Sequence, residues 1–290
     1  MVRILGSMPL LLVATTAFSG LQTSHLAGRI LPRAFDFYDG AGPLEVSSSS
    51  NSSSGCDEVF FPAHGAAMPE GGWPVYQYHC GTGATPADYA DTLEHIASHG
   101  FVAAANLMDV NYATIPRAEA CLAAIQTGLL PVAVNATQVV VGGHSGGGPS
   151  AAILASRHPL QGYVGQHAAA IPIINRPSDK VIEGITGAVL QMCGTIDVMP
   201  FCGCGPATDD YFDRYPASTA RMLAKSPDGH VEGVQHASGN KAEGGLVVAF
   251  LYHVLKSDPD AHAALVESGS RSGYTIVDKL TGGQNATATA

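Results

Sequence analysis

Basic side chains are scarce in this chain: 14 Lys and Arg stand against 24 Asp and Glu, for a formal charge of −10 and a pI near 5.5. No basic cluster interrupts that balance, which argues against a nucleic-acid or anionic-membrane partner. A membrane-length apolar run is missing as well. The stretch Met8–Phe18 is apolar but well short of the about 20 residues needed to cross a bilayer, so no stable membrane anchor is expected. No internal repeat is visible. Tryptophan occurs once, at Trp73.

What the N-terminus does contain reads as a secretion signal. Arg3 supplies a positive start, the apolar run follows, and the small residues Ala17, Ser19 and Gly20 suit cleavage. Residues 1–20 are therefore expected as signal peptide, 21–55 as an N-terminal segment ending in a Ser-rich linker, and 56–290 as the main domain. The linker, "VSSSSNSSSG" at 46–55, has almost nothing to bury and reads as a loop. The six cysteines, Cys56, Cys80, Cys121, Cys193, Cys202 and Cys204, all lie beyond the signal, an even count that suggests disulfides in an exported chain. Cys202 and Cys204 are too close in sequence to pair without strain, so each is expected to pair elsewhere. Sequons at Asn51, Asn135 and Asn285 could carry glycans. Secretion is the localisation these features point to.

A hydrophobic content of 46% supplies a sizeable core. Strand-like and helix-like segments then alternate along it. "DEVFFPA", "WPVYQYH", "FVAAANL", "TQVVVGG", "YVGQHAAAIPI" and "GAVLQMCG" read as strands. "PADYADTLEHIASHG", "PRAEACLAAIQTGLL", "PSAAILASRHP" and "GGLVVAFLYHVLK" read as helices. "HVEGV" at 230–234 is the candidate last strand. Alternation at these lengths predicts an α/β fold, a mostly parallel central sheet with helices on both faces. Functional groups in such sheets collect beyond the carboxyl ends of the strands.

One stretch carries chemistry. In "VVVGGHSGGGPSAA", residues 139–152, a β-branched strand runs into glycines around Ser145 and on into a small-residue helix. A serine at such a tight strand-to-helix turn fits a nucleophile elbow, G-x-S-x-G. A serine hydroxyl needs a base to take its proton and an acid to orient that base. Elbow topology orders them serine, acid, histidine. Asp197, three residues past the strand end at Gly194, is the expected acid; Asp209, Asp210 and Asp213 read as a solvated surface. His236, beyond "HVEGV", is the expected base. Should "RMLAKS" be the last strand instead, His230 takes that role. His144, beside the serine, is expected to pack. The backbone N–H groups of Gly146 and Thr82, the latter in "YHCGTGA", are the expected oxyanion donors.

With those residues in place the chain resembles an α/β-hydrolase, and more narrowly the cutinase and polyester (PET) hydrolase branch. Chlorophyllase-like and platelet-activating-factor acetylhydrolase-like esterases are relatives of that branch. The resemblance rests on "WPVYQYHCGTGATPADYADTLEHIASHGFVAAANLMD", the elbow, "GAVLQMCGTIDVMP" and "EGVQHASG". It implies a secreted, monomeric esterase that uses no metal or other cofactor and cleaves small-molecule or polymeric esters through an acyl-enzyme. Its triad would be Ser145, Asp197 and His236, with Thr82 and Gly146 as oxyanion donors. Three positions depart from the branch: Thr82 where an aromatic is common, Gly146 where methionine often follows the serine, and Pro172-Ile173 where Pro-Trp is frequent. An aromatic clamp for terephthalate is therefore not implied. A chlorophyllase-like or lipid acetylhydrolase-type esterase is one alternative, and a non-catalytic exported protein that binds an apolar ligand or partner in the same cleft is another.

Overall fold

The computed structural model describes residues 35–50, 55–169, 179–199, 202–231, 233–234, 242–271 and 273–280. The expected signal peptide, the sequons Asn51 and Asn285, and Pro172-Ile173 lie outside them. The described residues belong to the unit that begins at Arg33.

Nine strands form one mixed sheet: β1 (Val46–Ser49), β2 (Glu58–Pro62), β3 (Trp73–His79), β4 (Val102–Asn106), β5 (Val134–His144), β6 (Gly162–Gln166), β7 (Ala188–Gly194), β8 (Arg221–Ser226) and β9 (Thr275–Lys279). Their order is β1-β2-β4-β3-β5-β6-β7-β8-β9. Pairing is parallel from β4 to β8 and antiparallel at both ends. Side-chain alternation decides what each face packs against. Tyr76, Tyr78, Val140, Val164, Leu190 and Met192 face one apolar layer. Val75, Val139, Val141, Tyr163 and Val189 face the other.

Helices cover both layers. α1 (Phe35–Asp39), α2 (Ala90–Ser98), α7 (Ala242–Lys256) and α8 (Pro259–Arg271) bury Tyr38, Leu93, Ile96, Phe250 and Leu265 on the first. α3 (Pro116–Thr127), α4 (Gly147–Arg157) and α5 (Asp179–Gly184) bury Leu122, Leu154 and Ile182 on the second. α6 (Pro206–Asp213) adds Tyr211 to that layer. Because both faces are covered, β3 is buried along its whole length, as an inner parallel strand should be.

Three expectations need correction. "HVEGV" is not a strand: 230, 231, 233 and 234 are bends and turns, and "RMLAKS" is β8, beside β7. Part of the Ser-rich segment is ordered as β1, because an antiparallel edge strand needs only backbone partners, and Val46–Ser49 find them on β2. The cysteines are not all paired. Cys56–Cys121 and Cys193–Cys204 are disulfides, whereas Cys80 and Cys202 are free and buried. None of the described helices is long and apolar enough to cross a membrane.

Strand order fixes where a site can form. The chain passes from β3 outward to β4, then returns across β3 to β5, reversing its direction along the sheet. The loops that leave β3 and β5 therefore diverge and open a crevice at their carboxyl ends. Those loops carry Gly81-Thr82 and Ser145.

Candidate active site

Ser145 sits between β5 and α4 with φ of +50°, a left-handed conformation unusual for a residue with a side chain. The flanking glycines make that bend feasible. A Cβ on Gly143 would lie 2.5 Å from the carbonyl oxygen of Gly147, and one on Gly147 would lie 2.2 Å from that of His79. Backbone hydrogen bonds hold the turn: the Ser145 N–H donates to Gln166, and the Ser145 carbonyl accepts from Gly148 and Ala169.

The Ser145 hydroxyl meets an imidazole. Its Oγ is 3.0 Å from His230 Nε2, and His230 Nδ1 is 2.8 Å from Asp197 Oδ2. Asp197 rides on the loop after β7, and its Oδ1 accepts from the Met199 N–H at 2.8 Å. His230 rides on the loop after β8, whose turn is fixed by Ser226 and Asp228 bonding each other at 2.9 Å. His236, the expected base, lies outside the described residues; His230 is the histidine that touches both Ser145 and Asp197. The reason is topological. β8 is "RMLAKS", so His230 follows the strand and stands at the same carboxyl edge as Ser145.

Charge is arranged around Asp197. Burial pushes its carboxyl up, but hydrogen bonds from His167, His230 and Met199 outweigh that and hold it down at about 2. It is therefore ionised at neutral pH and can orient an imidazole through Nδ1–H.

The oxyanion candidates lie close together. The Thr82 amide nitrogen is 3.6 Å from where a Gly146 Cβ would stand. Neither the Thr82 nor the Gly146 N–H is spent on an acceptor among the described residues. Thr82 Oγ1 donates to the Met108 thioether at 3.2 Å, and a Gly146 Cβ would lie 2.4 Å from that hydroxyl and 2.6 Å from the Met108 sulfur. Met108 thus fills the space over residue 146, which explains why glycine stands there. Tyr112 Oη donates to the Gly146 carbonyl at 2.9 Å and steadies the same residue from its other side.

No protein-family model and no curated protein matches this chain.

The roles of four residues at this site are not legible in the sequence. His167, just past β6, bonds Asp197 and Glu243. Glu243 opens α7, and a helix-start glutamate reads from sequence as dipole complementation rather than as a buried partner. Burial, then Asp197, push the Cys202 thiol up to about 11, and it stays a neutral thiol. His144, expected to pack, does more. Its Nδ1 is 2.8 Å from Tyr89 Oη and its Nε2 is 2.9 Å from the His230 carbonyl oxygen. Burial holds His144 down at about 3, so it is neutral; Nε2–H donates to His230, and Nδ1 accepts from Tyr89. Only the position of His144 beside the serine signalled proximity to the site.

Donor atoms of His167, Asp197 and His230 lie within 4.8 Å of one another, a separation a cation could bridge. Here they are joined at 2.8 and 3.0 Å by hydrogen bonds that require a proton on each Nδ1. A metal ligand must offer a bare lone pair. This donor set is arranged to hold protons.

Proposed function

We propose that this protein is a secreted serine hydrolase of the α/β-hydrolase fold, acting on carboxylic esters through an acyl-enzyme. The observation that carries the reading is the unbroken line of hydrogen bonds from Ser145 Oγ through His230 to Asp197. His230 Nε2 takes the hydroxyl proton as Ser145 Oγ attacks the ester carbonyl. The Thr82 and Gly146 N–H groups receive the negative charge that develops on the carbonyl oxygen. His230 then returns the proton to the departing alcohol. Water attacks the acyl-enzyme with His230 again as base, and the acid is released. Asp197 fixes the ring's tautomer and offsets its transient positive charge.

Apolar groups suit the substrate. Ile196, Val198 and Met199 flank the acid and are exposed, with Val198 at 91%. Two disulfides favour an oxidising compartment, in line with export.

Hydrolysis of p-nitrophenyl butyrate by the purified protein and by Ser145→Ala tests the reading. Loss of the hydroxyl should lower kcat by several orders of magnitude. An unchanged rate, or no covalent labelling of Ser145 by a fluorophosphonate, would reject it.

A further inference from the structure

We infer that His167 is a positioning residue of this site: clamped between Asp197 and Glu243, it shares the Asp197 carboxylate with the base and sets the pH range over which His230 can accept a proton. The inference rests on the serine-hydrolase reading and adds to it a second imidazole that never meets the substrate.

The geometry leaves His167 little freedom. Nδ1 is 3.0 Å from Asp197 Oδ2 and Nε2 is 2.9 Å from Glu243 Oε1, with all three side chains fully buried. Carboxylate oxygens accept and do not donate, so two ionised partners require a proton on both ring nitrogens. The backbone is fixed as well. His167 has φ of +44°, a costly conformation that persists where surroundings dictate it. Its N–H donates to the Met192 carbonyl at 2.9 Å.

Electrostatics agree with the clamp. Burial would strip the His167 proton, but Glu243 and Asp197 outweigh it and hold the ring up at about 10. The His144 ring, 6.2 Å away at the end of β5, is neutral. Around Glu243, the phenols of Tyr78 on β3 and of Tyr274 before β9 are pushed up by burial and stay neutral. From the loop after β7, Asp197 bonds His167, and at the end of β7 Gly194 packs on its ring.

The His230 ring centroid is 5.9 Å from that of His167. A charge at that separation disfavours a second like charge on the neighbouring ring. Glu243, bonded to the other ring nitrogen of His167, offsets part of this. Asp197 thus orients His230 while His167 keeps the base from being trapped as imidazolium. The site would work at lower pH than with an unaccompanied aspartate.

The test has two arms on the full-length protein. In the first, 15N-histidine NMR follows the wild type from pH 5 to 9. The His167 ring should keep both nitrogens protonated through pH 8; a ring that is neutral at pH 7 overturns the inference, whether or not any variant folds. In the second, kcat/KM for p-nitrophenyl butyrate is measured against pH for wild type and His167→Gln. The acidic limb should move to higher pH in the variant. A limb that stays put, with the melting temperature alone reduced, assigns His167 a purely structural role and overturns the inference. Fluorophosphonate labelling separates the two failures. Labelling with an unmoved limb overturns only the inference, whereas no labelling overturns the hydrolase reading and the positioning role with it.

Discussion

His144 Nε2 donates to the backbone carbonyl of His230 at 2.9 Å, so the residue beside Ser145 grips the main chain that presents the His230 ring. Through Nδ1 the same ring bonds Tyr89, whose hydroxyl accepts from the Gly81 N–H at 2.9 Å. One neutral imidazole thereby ties the loops after β3, β5 and β8 together. Replacing His144 with Phe keeps the ring and cuts both bonds. A shift of about 1 Å in a catalytic group costs about 100-fold. We expect kcat for p-nitrophenyl butyrate to fall by about 10- to 100-fold, with Ser145 still labelled by a fluorophosphonate.

His230 and His236 separate by mutation. His230→Gln removes the group that bonds Ser145 Oγ and should lower kcat by about 1,000-fold or more. His236→Gln should leave most of the activity. Steady-state kinetics of the two variants decide between them, and the reverse pattern would move the base to His236.

Gly146 has no room for a methyl group. Its Cβ would press on Thr82 Oγ1 and Met108 Sδ at 2.4 and 2.6 Å, displacing the loop that carries the second proposed oxyanion donor. Loss of one such donor costs about 100-fold or more in kcat. Gly146→Ala should show a drop of that order with little change in KM. Pairing it with Met108→Ala, which empties the space, should restore part of the rate.

The Cys193–Cys204 disulfide closes a loop with a sequence separation of 11 that contains Asp197. Chain-entropy arguments give about 3 kcal/mol for a loop of that size and about 4 kcal/mol for Cys56–Cys121, whose separation is 65. Cys204→Ser should lower both the melting temperature and kcat, because the acid's loop loosens. Breaking Cys56–Cys121 should lower mainly the melting temperature. A thiol assay should find Cys80 and Cys202 reactive only after unfolding, since both are buried.

Stability should fall on either side of a maximum near pH 6.5. His79 and His144 are held down at about 3 and His99 at about 4 by burial. The unfolded chain therefore binds more protons between those values and about 6.5, and stability drops as pH falls through that window. His167 behaves oppositely. Held at about 10, it binds a proton when folded that the unfolded chain has lost, so its contribution is complete below about 6.5 and disappears as pH rises toward 10. Thermal melts from pH 4 to 10 check both limbs, and His167→Gln should flatten the alkaline one.

The sequence by itself determined the parallel strands, because β-branched and apolar runs such as "VVVGG" and "WPVYQYH" have few other ways to be buried. It also determined the turn at Ser145, where glycines at 143 and 147 meet backbone that any side chain would strike. Local pattern could not choose between His230 and His236. That choice hung on which segment was the last strand before the base, and "RMLAKS" took the role because β7 offered it a parallel partner. Nor could any local signal pair His167 with Glu243 across a sequence separation of 76. Hydrophobic periodicity reports which face of an element is buried. Only the packing of β6, the loop after β7 and α7 decides which polar groups meet there, because buried charges take their partners from neighbours in space rather than along the chain.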